Sequence, residues 1–401
     1  MENPKIRFKG FTKDWEQRKL GELGSLKNGM NFSKEAMGHG FPFINLQNIF
    51  GNNVIDVNKL ELADATEKQL LEYSLLKGDV LFVRSSVKLE GVGEAALVPE
   101  TLENTTYSGF IIRFRDEYGL NNDFKKYIFG TQKVRNQIMA QATNSANKNI
   151  SQGVLENLTF EVPSFDEQAK IGEHFSNLDH LITLHQRKCE QTKKLKKYML
   201  QKMFPQNGAK VPEIRFDGFT YDWEQREFSE LYARSSEKND GSIGMDKNIT
   251  VATMQFKNDV KVSTTEYLKT YYTFKLGDIA FEGHQSKEFR YGRFVENDIG
   301  NGIVSHIFAV FRPIQEYDLY FWKYAINNET LMQRILARST KASTMMHDLV
   351  TNDFLNETFL VPSVKEQKQI GAFLNKLDNL ITLHQRQTDF YKKPNFYFIS
   401  S

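Results

Sequence analysis

The sequence predicts an α+β protein, in which two mixed α/β bodies form a tandem pseudo-repeat and are separated by two long helices. First, residues 162–187 return, with most positions unchanged, as residues 361–386, which lie 199 positions later. Second, residues 4–18 return as residues 212–226, which lie 208 positions later. The sequences between these landmarks differ almost completely. A period this long exceeds the roughly 20–50 residues of a solenoid repeat, so each copy is a domain in its own right.

The chain of 401 residues is long enough for two domains of about 100–200 residues each. Short β-rich runs and turns fill each body, and a helix-like stretch closes it. Pro205, Gly208 and Pro212 mark a linker between the copies. We therefore expect a first body at 1–160, a central helix and linker at 161–207, a second body at 208–359, and a C-terminal helix at 360–401.

The repeated helices carry a start signal and a coiled-coil seam. Ser164 and Ser363 each precede a glutamate by three positions, which is the spacing of a capping box. Apolar residues then alternate at spacings of four and three, so we expect the two helices to pack against each other. The seam positions are Ile171, Phe175, Leu178, Ile182 and His185 in the first helix, and Ile370, Leu374, Leu377, Ile381 and His384 in the second. The two histidines either set the register or are amphipathic residues at a partly open seam.

The two helices are predicted to differ in length. The first continues through the basic run 193–197 to Phe204, whereas the second loses its pattern after Gln387 and meets Pro394. Because proline breaks helical hydrogen bonding, we expect the second helix to end before Pro394. The basic run either contacts phosphate or an acidic partner, or forms a solvated helix face.

Composition limits the class of protein. A net charge of +2 gives no global basic field, so any nucleic-acid surface must be local. The single cysteine, Cys189, excludes an intramolecular disulfide and a cysteine-cluster zinc site, and fits a reducing cytoplasm. The sequence has no signal-peptide pattern at its start and no apolar run long enough for a membrane span, so we expect a cytoplasmic protein with no membrane partner.

The sequence contains no recognisable catalytic motif. It lacks a phosphate-binding glycine loop, a dinucleotide fingerprint, an amino-methyltransferase signature and metal-like histidine pairs. Glu366 and Lys368 form a Glu-x-Lys pair of the kind found in nucleases, but the first copy has alanine at Ala169, where the second has lysine. At a helix start this pair is better explained by capping and surface charge. We therefore predict a chain without catalytic or metal-binding residues.

The repeated motifs resemble those of a known family. The pattern V-P-x-x-x-E-Q-x-x-I-G-x-x-x-x-x-L-D begins at Val162 and at Val361, and P-x-I-R-F-x-G-F-x-x-x-W begins at Pro4 and at Pro212. Both patterns are similar to those of the specificity subunit of type I restriction–modification enzymes, and the resemblance covers the whole chain. It implies two α/β target-recognition domains, separated by two helices that pack as an antiparallel coiled coil. Each domain would recognise one half of a bipartite, asymmetric DNA site.

The resemblance also implies the partners and their cofactors. Double-stranded DNA would be bound together with two modification subunits, which carry S-adenosylmethionine and methylate an adenine in each half-site. Two restriction subunits would supply translocation and cleavage with ATP and Mg²⁺. The helix pair would dock the modification subunits and set the gap between the half-sites, while this chain itself would bind no cofactor.

The helix length is consistent with a spacer. A continuous helix over residues 164–204 would be roughly 60 Å long, at about 1.5 Å per residue. Two DNA-binding bodies on one face of a duplex need centres about 34–36 Å apart, which is one helical turn of DNA. A helix of this length can hold that distance, whereas a flexible linker cannot fix a gap in base pairs.

Candidate DNA-contacting residues lie in polar turns of the divergent bodies. Arginine and lysine pair with guanine, asparagine and glutamine pair with adenine, and lysine and arginine also bind phosphate. In the first body the candidates are Arg84, Ser85, Ser86 and Lys88, then Asn45, Gln47 and Asn48, then Asn144 and Lys148. In the second body they are His284, Gln285, Ser286, Lys287, Arg290 and Tyr291, then Gln255, then Lys341, Ser343 and Thr344. Each cluster has the alternative interpretation of a solvated polar loop.

Trp15 and Trp223 are not predicted to stack on bases. They are identical in two bodies that would recognise different sequences, which favours packing or docking of a shared partner. For the whole chain we favour a DNA-recognition subunit. The alternatives are a self-contained nuclease or DNA methyltransferase with an unfamiliar site, and a protein–protein adaptor.

Overall fold

The computed structural model describes residues 6–143, 145–206, 208–257, 264–343 and 346–400, the last eight of these as backbone only. The chain divides into two compact units. Unit 1 comprises Met1–Gln186 and Arg386–Ser401, and unit 2 comprises Arg187–Gln385. The boundary therefore falls inside each of the two long helices, so each unit contains a part of both.

Unit 1 is built from short strands and short helices, followed by one long helix that continues into unit 2. Its strands are β1 (Glu16–Lys19), β2 (Gly24–Asn28), β3 (Met37–Ile44), β4 (Glu61–Ala63), β5 (Val80–Val83), β6 (Ser85–Ser86), β7 (Ala95–Leu97), β8 (Thr106–Tyr107), β9 (Ile111–Asp116), β10 (Lys148–Asn149) and β11 (Thr159–Val162). Its helices are α1 (Leu20–Leu23), α2 (Glu67–Glu72), α3 (Asn122–Ile128), α4 (Gln132–Gln141), α5 (Gln152–Glu156) and α6 (Phe165–Lys202).

Unit 2 has a similar order of elements, and its long helix continues into unit 1. Its strands are β12 (Glu224–Glu227), β13 (Tyr232–Ser235), β14 (Ile249–Thr250), β15 (Gln255–Phe256), β16 (Tyr272–Phe274), β17 (Ile279–Glu282), β18 (Arg293–Glu296), β19 (Gly302–Val304), β20 (Ala309–Pro313), β21 (Thr340–Ala342), β22 (His347–Leu349) and β23 (Thr358–Val361). Its helices are α7 (Phe228–Leu231), α8 (Thr265–Leu268), α9 (Leu319–Ile326), α10 (Glu329–Ser339), α11 (Thr351–Leu355) and α12 (Val364–Ser400).

The central sheets of the two units have the same topology. Each is a four-stranded antiparallel sheet, in the order β2-β9-β5-β7 in unit 1 and β13-β20-β17-β18 in unit 2. The register also matches, because Val80 lies opposite Phe114 in the first sheet and Ile279 lies opposite Phe311 in the second. The predicted α+β fold with a tandem repeat is therefore confirmed.

Strand β5 is buried on both faces, which explains its continuous apolar sequence. Because successive side chains point to opposite faces of a sheet, Val80 and Phe82 join one core cluster. Leu81 and Val83 join another cluster, which contains Tyr107. In unit 2 the corresponding strand β17 is divided between two clusters in the same way.

The Gly-Asp turn before β5 is a structural landmark of both units. Gly78 has a φ of +90°, a conformation that glycine adopts without strain. The buried Asp79 carboxylate accepts two hydrogen bonds from Arg115, at 3.0 and 2.7 Å. Unit 2 repeats this arrangement with Asp278 and Arg312, both at 3.0 Å. These ion pairs explain why the Gly-Asp dipeptide recurs in otherwise divergent bodies.

The glutamate at the start of each long helix binds the N-terminal repeated segment of its own unit. In unit 1, Arg7 donates two hydrogen bonds to Glu167 at 2.6 and 2.7 Å, and Trp15 donates one at 3.2 Å. In unit 2, Arg215 donates to Glu366 at 2.7 and 2.8 Å. The predicted capping role therefore covers only part of what these carboxylates do.

For the second helix, one half of the predicted capping box is confirmed, namely the hydrogen bond to the serine side chain. The backbone N–H of Glu366 donates to Ser363 Oγ at 3.4 Å. Its side chain, however, accepts from Arg215 and from Trp223 Nε1, the latter at 3.3 Å. Sequence spacing detects the local serine but not a partner that lies 151 positions away.

The first turns of each predicted seam pack on the body of their own unit. Ile171, Phe175 and Leu178 lie in one buried cluster with Trp15 and Phe124. In unit 2, the equivalent residues Ile370, Leu374 and Leu377 lie in the core that contains Trp223 and Phe321.

A glycine makes this close approach possible. A Cβ at Gly172 would lie 2.7 Å from the backbone nitrogen of Phe124, and one at Gly371 would lie 2.6 Å from that of Phe321. The heptad spacing identifies the apolar residues of the seam but not the surface that covers them. A prediction based on a helix partner alone therefore misses this packing against the body.

The long helices contact each other further along the seam. Within unit 2, Cys189 Sγ lies 3.9 Å from the carbonyl oxygen of Ile381, and Lys196 Nζ lies 2.6 Å from Asp378 Oδ1. The partner number falls as the residue number rises, so these segments are antiparallel. Within unit 1, the ring of His185 lies 5.7 Å from that of Tyr391. The remaining seam residues are half-buried; they are Ile182 and His384.

The prediction that the second helix ends before Pro394 is wrong. Helix α12 extends through Pro394 to Ser400. Proline removes one backbone hydrogen bond and crowds the preceding turn, which penalises an interior position without forbidding it. Packing of Tyr391 against the cluster around Phe175 stabilises the turn just before it.

No helix in the described part of the chain is long and apolar enough to cross a membrane.

Candidate nucleic-acid interface

In the first body, the structure joins two of the three predicted polar clusters. Strand β6 pairs with β10, which places Ser86 opposite Lys148 and Ser85 opposite Asn149. The backbone N–H of Ile150 also donates to the carbonyl of Arg84 at 3.0 Å. Residues 84–88 and 145–149 therefore form one surface, although they are far apart in sequence. The predicted Asn144 lies outside the described residues.

Besides the contact with Ile150, Arg84 forms contacts with residues 109 and 110. Its N–H donates to the carbonyl of Phe110 at 2.7 Å, and its Nη1 lies 3.4 Å from the carbonyl oxygen of Gly109. The side chain is half-buried, while Lys88 is exposed. This arrangement fixes the start of the Arg84 side chain.

A concavity of about 520 Å³ lies beside this surface, with Ser85, Ser86 and Lys88 in its lining. Three exposed apolar residues also line it, among them Val87 at 78% and Phe110 at 57% exposure. Sequence reasoning passed over them, because it searched for hydrogen-bonding groups alone. Apolar contact with the thymine methyl is a recognised mode of base recognition, and exposed apolar side chains among polar ones are the signal for it.

The third cluster of the first body contributes less than predicted. Asn48 is 3% exposed, and its Oδ1 accepts from the backbone N–H of Asn45 at 2.9 Å. Its Nδ2 donates to the carbonyl of Lys59 at 3.2 Å. The structure therefore argues against Asn48 as a DNA-contacting residue, because its amide closes a short helical turn. Asn45 is half-buried and Gln47 is exposed.

The second body has the same arrangement. The backbone N–H of His347 donates to the carbonyl of Gly283 at 2.8 Å, and His284 forms a β-bridge with Met346. These contacts match those between Arg84 and Ile150 in unit 1. A side chain at Gly283 would force this loop to move, because its Cβ would lie 2.1 Å from the carbonyl oxygen of His347.

The loop after β17 exposes the predicted polar side chains. His284, Gln285, Ser286 and Lys287 are all exposed. Ser286 Oγ accepts from the backbone N–H groups of Glu288 and Phe289, at 3.2 and 3.0 Å, which closes the loop into a turn. The amide of Gln285 lies 2.9 Å from His347 Nδ1. Sequence reasoning missed His347, because nothing in the spacing of the two residues signals the contact.

The other predicted residues of the second body are placed as follows. Arg290 is exposed, and its backbone N–H donates to Glu329 at 3.2 Å. Burial raises the pKa of the Glu329 carboxyl. This effect is larger than that of the hydrogen bond from Arg290, which lowers the same pKa. Tyr291 lies edge-on to His347 at 5.3 Å. Lys341 is exposed on β21, which pairs with β22.

Ser343 joins the same hairpin, since its Oγ donates to the carbonyl of Met346 at 3.1 Å. Gln255 is exposed in the separate β14–β15 hairpin. The predicted Thr344 lies outside the described residues. The structure therefore brings residues 284–291 together with 341–343 and 346–347, and leaves Gln255 apart from them in the sheet pairing.

The core of unit 2 contains a buried carboxylate at a position that is apolar in unit 1. Glu296 is 2% exposed, and neither of its carboxylate oxygens has a partner among the described residues; the same holds for Tyr232 Oη. Burial raises the pKa of Glu296 well above its ordinary value; Asp298 raises it further, and Lys323 lowers it. In unit 1, the apolar Leu97 occupies the matching strand position.

The nuclease-like Glu-x-Lys pair is not arranged for catalysis. Glu366 is 1% exposed, and both of its oxygens accept from Arg215. A carboxylate saturated in this way is unsuited to binding a metal ion. Within the described ranges, no group of three or more metal-binding side chains is present.

The basic run of α6 is partly used inside unit 2. Lys196 forms an ion pair with Asp378 and lies over the ring of Tyr324 at 4.9 Å. Lys193 pairs with Glu190 at 2.8 Å on the helix surface. Lys194 and Lys197 are exposed. Only part of the basic run is therefore a solvated helix face.

The fold and these surfaces define a two-domain protein. Its two domains share one fold, and the polar loops that follow equivalent strands differ in sequence. The family model for the type I restriction modification DNA specificity domain matches residues 12–194 and again residues 221–389. The chain belongs to this family. The two matches coincide with the two repeats described above.

Individual relatives agree with this assignment. The chain is 28% identical over 151 residues to the type I restriction enzyme EcoKI specificity subunit of Escherichia coli. It is 26% identical over 197 residues to the MjaIX specificity subunit of Methanocaldococcus jannaschii. These alignments cover 37% and 48% of this chain, and 32% and 43% of the relatives, so each spans less than half the length of the relative that it matches.

Two crystal structures share the fold along nearly the whole chain. The S subunit of a type I restriction–modification system from M. genitalium aligns with a TM-score of 0.58 at 15% identity, covering 99% of this chain and 98% of that one. The HsdS subunit from Thermoanaerobacter tengcongensis aligns with a TM-score of 0.52 at 16% identity, covering 97% and 96%.

Proposed function

We propose that this chain is the DNA sequence-specificity subunit of a type I restriction–modification complex. The bodies 1–160 and 208–359 are its target-recognition domains, and each recognises one half of a bipartite, asymmetric site. The observation that carries the proposal is that equivalent strands, β5 and β17, end in equivalently tied but chemically different loops. Residues 84–88 are Arg-Ser-Ser-Val-Lys, and residues 283–287 are Gly-His-Gln-Ser-Lys. Two different loops on one common fold suit recognition of two different sequences.

An exchange of bodies tests this proposal. Residues 208–359 would be replaced by the corresponding body of another specificity subunit, and the methylated sites would be mapped in a genome that carries the complete complex. We expect the half-site recognised by the second body to change and the other to stay the same. A change in both half-sites, or in neither, would contradict the proposal.

The helices α6 and α12 set the gap between the half-sites and dock the two modification subunits. Their antiparallel contacts within unit 2 support this role, because two helices that hold each other are stiffer than a single linker. Inserting seven residues, about two turns, into both helices at the unit boundary should lengthen the gap. Inserting them into α6 alone should abolish binding, because the helices then lose register. An unchanged gap after the paired insertion would rule out the spacer role.

The chain has no catalytic activity of its own. S-adenosylmethionine is bound by the modification subunits, and ATP and Mg²⁺ are used by the two restriction subunits. The buried pairing of Glu366 with Arg215 supports this view, because it removes the one nuclease-like carboxylate from use. Purified chain would be incubated with S-adenosylmethionine and DNA. Methyl transfer without a partner subunit would favour a self-contained methyltransferase instead.

A further inference from the structure

We propose that Gln285 recognises an adenine in the half-site bound by the second body, and that His347 positions its amide for this contact. The inference rests on the proposed function and goes beyond it by naming a base and the pair of residues that selects it.

The contact between the two side chains has a defined direction. Gln285 Nε2 lies 2.9 Å from His347 Nδ1. Because an amide nitrogen can only donate, Nδ1 is the acceptor, and the imidazole carries its proton on Nε2. Elsewhere in the described part of the chain, no group hydrogen-bonds to this amide. Gln285 is exposed, so its Oε1 and its second N–H are available to a ligand.

His347 is a fixed support for this amide. It is 8% exposed, and its backbone N–H donates to the carbonyl of Gly283 at 2.8 Å. Its ring packs edge-on against Tyr291, with the centroids 5.3 Å apart and the planes at 84°. With the imidazole proton on Nε2, turning the Gln285 amide by half a turn would place Oε1 against the lone pair of Nδ1. The histidine therefore fixes which edge of the amide faces outward before DNA binds.

The available edge of the amide presents one acceptor and one donor. In the major groove, adenine offers the N6 amino donor beside the N7 acceptor, which is the complementary pattern. Guanine offers two acceptors at O6 and N7, which need two donors, such as those of arginine. The geometry of Gln285 and His347 therefore favours adenine over guanine.

The first body lacks this pair at the matching positions. Ile150 donates its N–H to Arg84 as His347 does to Gly283, and Ser86 stands where Gln285 stands in the second loop. Neither the amide nor the imidazole is needed to form the shared fold. A pair found in one body alone is expected of residues that select a sequence, not of residues that hold the domain together.

The test is a panel of DNA duplexes that carry every single-base change in the half-site of the second body, bound by the complete complex. Gln285→Glu presents only acceptors, which suit the cytosine N4 amino group. At one position we expect the preference to move from adenine towards cytosine, with a loss of about tenfold to a hundredfold for adenine. The first half-site should be unaffected. Gln333→Glu, the same change at an exposed site on α10, is the matched control and should change nothing.

Substitution of His347 separates positioning from packing. His347→Phe keeps the ring but removes the acceptor, so discrimination at the same position should fall while binding to unrelated DNA is kept. His347→Asn restores an acceptor near Nδ1 and should recover part of the discrimination. A structural role alone would instead weaken binding to every duplex and would show no such recovery.

The outcomes also separate this inference from the proposed function. If Gln285→Glu leaves base preference unchanged at every position, or weakens all duplexes equally, Gln285 does not select a base, and the inference is wrong. The exchange of residues 208–359 can still succeed in that case. If that exchange leaves the second half-site unaltered, the proposed function itself fails.

Discussion

Arg215 and Glu366 form a bidentate ion pair, with Nε 2.7 Å from Oε1 and Nη2 2.8 Å from Oε2. The pair joins the N-terminal repeated segment of unit 2 to the start of its long helix, and Arg7 and Glu167 do the same in unit 1. Each repeated sequence therefore contains half of one buried interaction, so neither half can change without the other.

Arg215→Ala should destabilise unit 2 by about 3 kcal/mol, because removing one partner leaves a buried carboxylate uncompensated. Glu366 is 1% exposed and would keep, of these side-chain donors, only Trp223 Nε1. Arg215→Lys should recover only part of the loss, since an ammonium cannot form both hydrogen bonds in one plane. Denaturant unfolding of the full chain measures the effect. Arg334→Ala, an exposed change on α10, is the control; equal stability of all three variants would disprove the role.

The stability of unit 2 should fall as the pH rises above about 4.5, because of Glu296. Its pKa in the folded protein is raised well above its ordinary value of 4.5, so the folded state keeps a proton that the unfolded chain releases. The stabilisation is fully present below the unfolded pKa and is lost as the pH rises towards the folded pKa. The slope is at most about 1.4 kcal/mol per pH unit.

Glu296→Gln should remove this slope and leave the protein more stable at pH 8. Glu296→Leu copies the solution of unit 1, where Leu97 lies opposite Val80 as Glu296 lies opposite Ile279. Unfolding free energies at pH 5 and pH 8 for the three proteins check the prediction. An identical pH slope in the Gln variant would show that Glu296 is ionised in the folded state.

Gly283→Ala should impair recognition by the second body while the chain still folds. The added methyl would lie 2.1 Å from the carbonyl oxygen of His347, so the loop must move away from β22. We expect a loss of about tenfold or more in affinity for the specific site, since a displaced loop forfeits at least one base contact. Gly153→Ala is the control, because the nearest atom to its new methyl lies 4.0 Å away. Equal affinity of both variants would contradict the prediction.

Arg84→Ala should weaken binding to the specific site by about 1–3 kcal/mol, if the guanidinium pairs with a base in the first half-site. If Arg84 contacts a base, Arg84→Ala should relax the preference at one base pair and change the affinity for unrelated DNA little. Affinities measured at several salt concentrations give the second readout. An equal loss on all sequences, with a smaller salt dependence, would assign Arg84 to a phosphate instead. Lys88→Ala, at an exposed neighbour, provides the phosphate-type comparison.

The sequence predicted the architecture because the fold is duplicated and the two copies check each other. The Gly-Asp turns, the serine at each helix start and the apolar seam all recur, and each recurrence marks a real structural element. The sequence could not predict which surface each element packs against. Phe175 and Leu374 look like residues of a helix–helix seam, yet they pack beside Trp15 and Trp223 on the bodies.

The candidate interface was predicted at the level of loops but not of contacts. Residue type and position after a strand identified the loops at 84–88 and 284–287. The contact between Gln285 and His347 joins residues 62 positions apart, and no periodicity records it. Asn48 has the composition of a base-contacting residue, but its burial follows from the turn that it closes. Pro394 showed the opposite error, since a local penalty was taken to end a helix that continues.

The division of the chain into units has a consequence for its synthesis. Unit 2 is one continuous stretch, Arg187–Gln385, whereas unit 1 needs Arg386–Ser401 in addition to its first 186 residues. Domains fold as units while the ribosome extends the chain. Unit 2 can therefore be complete before the contact between Tyr391 and His185 can form. The domain that is translated first is thus the one that also contains the last residues to be translated.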